Sequence, residues 1–203
     1  MLTPEEKLTQ QSYEKIAAAR QAKKGDPDFW SAEVERFARQ RPPPGRVLDV
    51  GCGDGRDAHL LLAAGYDYLG IDLSPAMLRL ARTTAPSAKF RRMSLHRLRF
   101  PDGAFDGIWA VCSLLHLPKR RVGSALKEIR RVLRPNGLGF IVVKEGVGEK
   151  MVRGDMSGDE RYYAYYGQAE FAAQITSAGF VIEEATQQVR GARFLLFYVR
   201  PGP

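Results

Sequence analysis

Residues 46–56 read RVLDVGCGDGR: a short apolar run, then a turn with glycine at 51, 53 and 55, leading into AHLLLAAG (58–65). An apolar run of this length bounded by glycine predicts a buried strand, and Leu60, Leu61 and Leu62 ahead of Gly65 mark a helix. A glycine-rich turn from a first strand into a helix lets the backbone approach a ligand at the strand's carboxyl end. Outward from this unit the alternation repeats. YLGID (68–72) reads as the next strand, and Pro75 opens a helix carrying Met77, Leu78, Leu80 and Ala81. FDGIWAV (105–111) follows the Asp102-Gly103 turn as a strand. The strongest helical pattern spans 119–134, with Val122, Ala125, Leu126, Ile129, Val132 and Leu133 at three- and four-residue spacing before Pro135-Asn136-Gly137. GFIVV (139–143) is a further strand, 168–178 a last helix ending at Gly179, and FVIEEA with RFLLFYV a closing strand pair. The stretch after Phe90 is basic, and 146–161, glycine-rich, charged and without period, reads as a mobile loop. Strands alternating with helices predict an α/β fold, doubly wound on a parallel sheet.

Two acids frame the glycine turn. Asp49 stands two residues before the first glycine, and Asp72 closes the next strand, 21 residues after Gly51. A dinucleotide fingerprint needs glycine at 56, where this chain has Arg56. A carboxylate at 49 repels a pyrophosphate and suits an ammonium or sulfonium cation. A carboxylate at 72 is placed to accept both hydroxyls of a ribose. The ligand read from these residues has a ribose at one end and positive charge at the other. S-adenosylmethionine fits; NAD fits poorly, and an NAD oxidoreductase is the rival that Asp49 and Arg56 oppose.

Four blocks, VLDVGCGDG (47–55), GIDLSPAML (70–78), FDGIWAVCSLLHLP (105–118) and ALKEIRRVLRPNG (125–137), resemble class I S-adenosylmethionine-dependent methyltransferases in order and spacing. The resemblance runs from about Arg46 to Val199. It implies a seven-stranded, mostly parallel, Rossmann-like sheet with the last strand antiparallel. It also implies that Asp49, Gly51, Cys52 and Gly53 hold the methionine amino end, that Asp72 takes the ribose, and that Leu73 and Met77 flank the adenine. Arg56 matches an arginine that pairs with the methionine carboxylate, where a helix N-terminus also favours an anion. The resemblance further implies that Val111 borders the cofactor at the end of its strand. Where the family often has an acid followed by Met or Ala to meet the adenine, this chain has Ser94-Leu95, a contact weaker by about 1 kcal/mol for want of charge.

Composition bounds the rest. At 203 residues the chain holds one domain with a small appendage. Thr3-Pro4-Glu5-Glu6 opens a polar helix over 3–24, a second covers about 28–40 with Phe29, Val34 and Phe37 near one face, and Arg41-Pro-Pro-Pro-Gly45 stops it. This punctuation divides a helical arm, 1–45, from a methyltransferase body, 46–203. Cys52 and Cys112 make neither a disulfide framework nor a four-ligand zinc site, and no metal is expected. No apolar run approaches the ~18 residues of a membrane helix, and the acid-bearing start is unlike a signal peptide, so the expected compartment is the cytoplasm.

Methyl transfer needs alignment above all, and a general base only for an acceptor with a firmly held proton. His116, beyond the strand ending at Val111, is the catalytic candidate, expected to titrate near neutrality; Cys112 reads as packing. Tyr162, Tyr163 and Tyr166, in the run RYYAYY, with Tyr13 on the arm, are candidate walls of an acceptor site. The net charge of +8 gathers in Lys89–Arg99 and Lys119–Arg134, without interleaved exposed aromatics, which disfavours nucleic acid as substrate. The function expected is methyl transfer from S-adenosylmethionine to a small-molecule acceptor. A tRNA-modifying methyltransferase and a catalytically silent S-adenosylmethionine-binding module are the alternatives, and oligomeric state is not legible.

Overall fold

The computed structural model describes residues 2–22, 25–153 and 160–203. Strands β1 (Arg46–Val50), β2 (Asp67–Asp72), β3 (Lys89–Arg92), β4 (Phe105–Val111), β5 (Leu133–Lys144), β8 (Phe180–Val189) and β9 (Arg193–Pro201) form one sheet. Its order is β3-β2-β1-β4-β5-β9-β8; β9 runs antiparallel to both its neighbours and the other pairings are parallel. The order reverses between β1 and β4, which opens a crevice at the carboxyl ends of those strands.

Both faces of the sheet are buried, so the strands read as near-continuous apolar runs. Leu48, Val50, Ile108 and Ala110 face α5 (Lys119–Val132) and α6 (Gln168–Ser177), which contribute Val122, Leu126, Ile129, Phe171 and Ile175. On the other face Val47, Trp109, Phe140 and Tyr198 pack with α2 (Ser31–Gln40), α3 (Ala58–Ala63) and α4 (Pro75–Thr84). Gly107 makes that second layer close: a Cβ there would stand 2.8 Å from the Phe37 ring of α2. The first helix, α1 (Pro4–Ala22), lies instead across the strand ends.

Three readings of the sequence need correction. The basic stretch after Phe90 is the edge strand β3; Phe90 alone of its four residues is buried, so no apolar run announced it. The loop expected over 146–161 contains half of a two-stranded antiparallel sheet, β6 (Glu149–Arg153) with β7 (Glu160–Ala164); the part of that reading on 154–159 lies outside the described residues. Helix α5 stops at Val132, and β5 begins at Leu133 rather than Gly139, with an irregular register before Leu138 that absorbs Pro135-Asn136-Gly137. Among the described residues no helix is long and apolar enough to cross a membrane.

The arginines of α5 also do more than coat a surface. Arg131 donates to the Leu98 and Phe100 carbonyls and pairs with Glu128 and Asp102, and Arg130 donates to the Gly179 and Gly202 carbonyls; Arg134, just beyond the helix in β5, pairs with Asp106. Arg130 and Arg131 therefore pin loops to the body.

Candidate active site

The crevice at the switch point is a cavity of about 380 Å³, within the range of small-ligand sites. The turn after β1 forms one wall. Gly51, Gly53 and Gly55 all have positive φ (76°, 54° and 72°), which a side chain would strain. The Gly51 and Cys52 N–H groups donate to the Ile71 carbonyl at 2.8 and 2.9 Å, tying the turn to β2. A Cβ on Gly51 would stand 2.4 Å from that of Ser113, whereas one on Gly53 would meet nothing within 4 Å. The backbone at Gly53 is thus open to a ligand.

Asp49 and Asp72 converge on this turn from two strand ends. Asp49 is 4% exposed and accepts the Tyr68 hydroxyl at 2.7 Å. Burial, then the nearby Asp57 carboxylate, holds its carboxyl well above the usual range, against the Tyr68 hydrogen bond. Asp72 accepts from the N–H groups of Gly53 (3.0 Å) and Ser74 (2.8 Å); burial still raises it above the ordinary value. Two carboxylates held up in this way, one buried and one half-buried, would be relieved by a cationic ligand. Leu73, Met77, Ser94 and Leu95 line the cavity beyond Asp72, and Val111 and Cys112 line it on the β4 side. The Ser94 hydroxyl already accepts the His96 N–H at 3.3 Å. Arg56 lines the cavity too, with Nε 3.3 Å from Asp57 and its guanidinium over the Phe29 ring. Asp57, which the sequence did not single out, also accepts the Trp109 indole N–H at 3.0 Å.

The end of β4 carries the other half of the site. Cys112 is held at φ 54°, a strained region for a side chain, and burial pushes its thiol up to about 12. His116 donates or accepts at both ring nitrogens: Nδ1 lies 2.8 Å from the Tyr162 carbonyl and Nε2 2.8 Å from the Tyr13 hydroxyl. The carbonyl only accepts, so Nδ1 carries the proton and the Nε2 lone pair receives the Tyr13 O–H. Burial pushes His116 down to about 4, so the expectation of a group poised near neutrality is corrected.

Helix α1 closes the cavity with polar contacts along its length. Glu6 pairs with His96, Gln10 donates to the Leu73 carbonyl, Glu14 accepts the Ala76 N–H at the start of α4, and Arg20 pairs with Asp54. Tyr13 and Tyr163 line the cavity, and their rings each stand edge-on to the His116 ring. The other two tyrosines are a correction. The Tyr162 hydroxyl turns away to Glu149, and Tyr166 is fully buried beside Phe171 under the Lys119 ammonium; neither lines the cavity. Lys144, at the end of β5, and Arg161, at the start of the tyrosine run, do line it and were missed. Among the described residues no group of three His, Cys, Asp or Glu side chains is arranged as metal ligands.

A family model described as a methyltransferase domain matches residues 47–137. The chain is 39% identical over 116 residues to the 2-methyl-6-phytyl-1,4-hydroquinone methyltransferase of Synechocystis sp., covering 55% of this chain and 36% of that protein. It is 32% identical over 116 residues to the putative methyltransferase YqeM of Bacillus subtilis, covering 55% of this chain and 46% of the relative. The chain thus spans less than half the length of these relatives. Among solved structures, the 1,6-didemethyltoxoflavin-N1-methyltransferase of Burkholderia thailandensis, with bound 1,6-didemethyltoxoflavin and S-adenosylhomocysteine, superposes with a TM-score of 0.80 at 22% identity, over 100% of this chain and 92% of that one. That likeness speaks for the fold. The matched domain, the four sequence blocks and the sheet order together make the chain similar to class I S-adenosylmethionine-dependent methyltransferases over residues 47–137.

Proposed function

We propose that this protein is a cytoplasmic enzyme that transfers a methyl group from S-adenosylmethionine to a small-molecule acceptor. The observation that carries the reading is the convergence of two acids, Asp49 buried and Asp72 half-buried, on a glycine turn whose backbone lies open at Gly53. That donor set suits a ribose and a cation and would repel a pyrophosphate. When bound, S-adenosylmethionine supplies an electrophilic methyl group on a sulfonium. Asp72 accepts the ribose hydroxyls; Leu73, Met77 and Leu95 flank the adenine, with Ser94 at its edge. Asp49 and the backbone of Gly51, Cys52 and Gly53 hold the amino end, Arg56 the carboxylate, and Val111 packs beside them.

The acceptor sits between these groups and the β4 end, beneath α1. The division into an arm, 1–45, and a body, 46–203, belongs to the same proposal, with α1 as the lid that excludes water. The chain's chemical work is then alignment and, for a protic acceptor, removal of one proton. His116 Nε2 is the receiving atom, through Tyr13: its hydroxyl gives its proton to Nε2 as it takes the acceptor's. Tyr163 forms the aromatic wall opposite.

Incubation of the full chain with S-adenosylmethionine labelled in its methyl group, against a pool of phenols and aromatic acids or against total tRNA, tests the acceptor class. Label in the small-molecule pool is expected. Label in tRNA alone would overturn that choice, and label in neither pool would favour a silent binding module.

A further inference from the structure

The cavity is divided by charge. Asp49 and Asp72 make the glycine turn acidic, while Lys144 and Arg161, which also line the cavity, lie close enough to His116 to act on its charge. The five side chains form one connected set. Lys144 Nζ lies 4.8 Å from the centre of the Tyr163 ring, that ring is 4.8 Å from His116, His116 is 5.4 Å from Tyr13, and Arg161 sits 5.4 Å over Tyr13. The acids of the cavity wall are engaged elsewhere: Glu6 with His96, Asp54 with Arg20, Asp57 with Arg56. Among the described residues no carboxylate makes an ion pair with Lys144 or Arg161, and Arg161 Nε is buried without a hydrogen-bond partner.

Cations resting on tyrosine faces in a partly dry cavity are only modestly stabilised, and a desolvated anion would be held far better. We infer that the methyl acceptor is an anionic aromatic molecule, its acid group held between Lys144 and Arg161 and its ring against Tyr163 and Tyr13. The inference rests on the methyltransferase reading of the same cavity. It has a consequence for the chemistry: Lys144 and Arg161 add to burial in keeping His116 neutral, so an anion between them strengthens His116 as a proton acceptor only once the acceptor is in place.

The test uses 4-hydroxybenzoate and its neutral counterpart 4-hydroxybenzamide, titrated calorimetrically into the full chain saturated with S-adenosylhomocysteine. The carboxylate is expected to bind about 10- to 100-fold more tightly than the amide, the range of one or two charge-assisted hydrogen bonds. In Lys144→Met and Arg161→Gln that preference should fall to a few-fold, with S-adenosylhomocysteine affinity unchanged. Equal binding of the two probes, binding of neither, or a preference that survives both substitutions would overturn the inference. Failure of S-adenosylhomocysteine itself to bind would overturn the methyltransferase reading instead, so the two failures are told apart before either probe is added.

Discussion

Replacing His116 with glutamine should flatten the acid side of the protein's stability profile. In the fold His116 is pushed from 6.5 down to about 4, chiefly by burial. The native state therefore binds fewer protons than the unfolded chain between those values, and stability falls as pH drops through that window. The full gap is worth roughly 3 kcal/mol, and about 2.5 kcal/mol of it is lost by pH 4.5. Asp49 and Asp72 act in the opposite sense, since their folded values are raised, but they are present in both proteins and cancel in the difference. Urea denaturation at pH 7 and pH 4.5 should show the wild type losing roughly 2 kcal/mol more than His116→Gln on acidification. Equal losses, or an NMR titration placing His116 above about 6, would refute the burial and tautomer assigned to it.

Other perturbations separate the parts of the site. In Tyr13→Phe the hydroxyl that favours the neutral ring is gone, so His116 should titrate at higher pH by NMR; an unchanged value would mean the 2.8 Å contact does not form in solution. Gly51→Ala and Gly53→Ala share about 1 kcal/mol of backbone strain, but only the first drives a Cβ into Ser113, at 2.4 Å. Thermal melts should accordingly show Gly51→Ala strongly destabilised and Gly53→Ala close to wild type, while Gly53→Ala still loses S-adenosylhomocysteine binding because its methyl fills the open wall. Identical melting losses would contradict the placement of the turn. Asp72→Ala should weaken S-adenosylhomocysteine by about 10- to 100-fold, with Asp72→Asn intermediate; an affinity within twofold of wild type would remove Asp72 from the ribose site.

What could be read in advance depended on whether a feature was local in the chain. The strands β1, β2 and β4 are buried on both faces, so their apolar runs and bounding glycines were sufficient. Asp49, Gly53 and Asp72 lie within one strand-turn-helix-strand unit, and their meeting follows from that unit's geometry. The edge strand β3 exposes most of its side chains, and among the described residues β6 and β7 pair only with each other, so none of the three carried the pattern of a sheet core. Lys144 and Arg161 were invisible for a different reason. They line one cavity because β5 lies beside β4 and the chain returns to it through the Glu145–Tyr166 bridge, a contact no spacing rule supplies. The tyrosine run misled in part because adjacent residues on a strand face opposite ways: Tyr163 enters the cavity while Tyr162 offers it only the carbonyl that orients His116.

Isothermal calorimetry of the full chain with S-adenosylhomocysteine, and separately with NAD, tests the central claim most directly. One molecule of S-adenosylhomocysteine should bind per chain, with the affinity sharply reduced in the Asp49→Asn/Asp72→Ala double variant, and NAD should give no saturable heat. A wild-type chain that binds NAD in preference, or that binds S-adenosylhomocysteine no better than the double variant does, would contradict the assignment of this cavity.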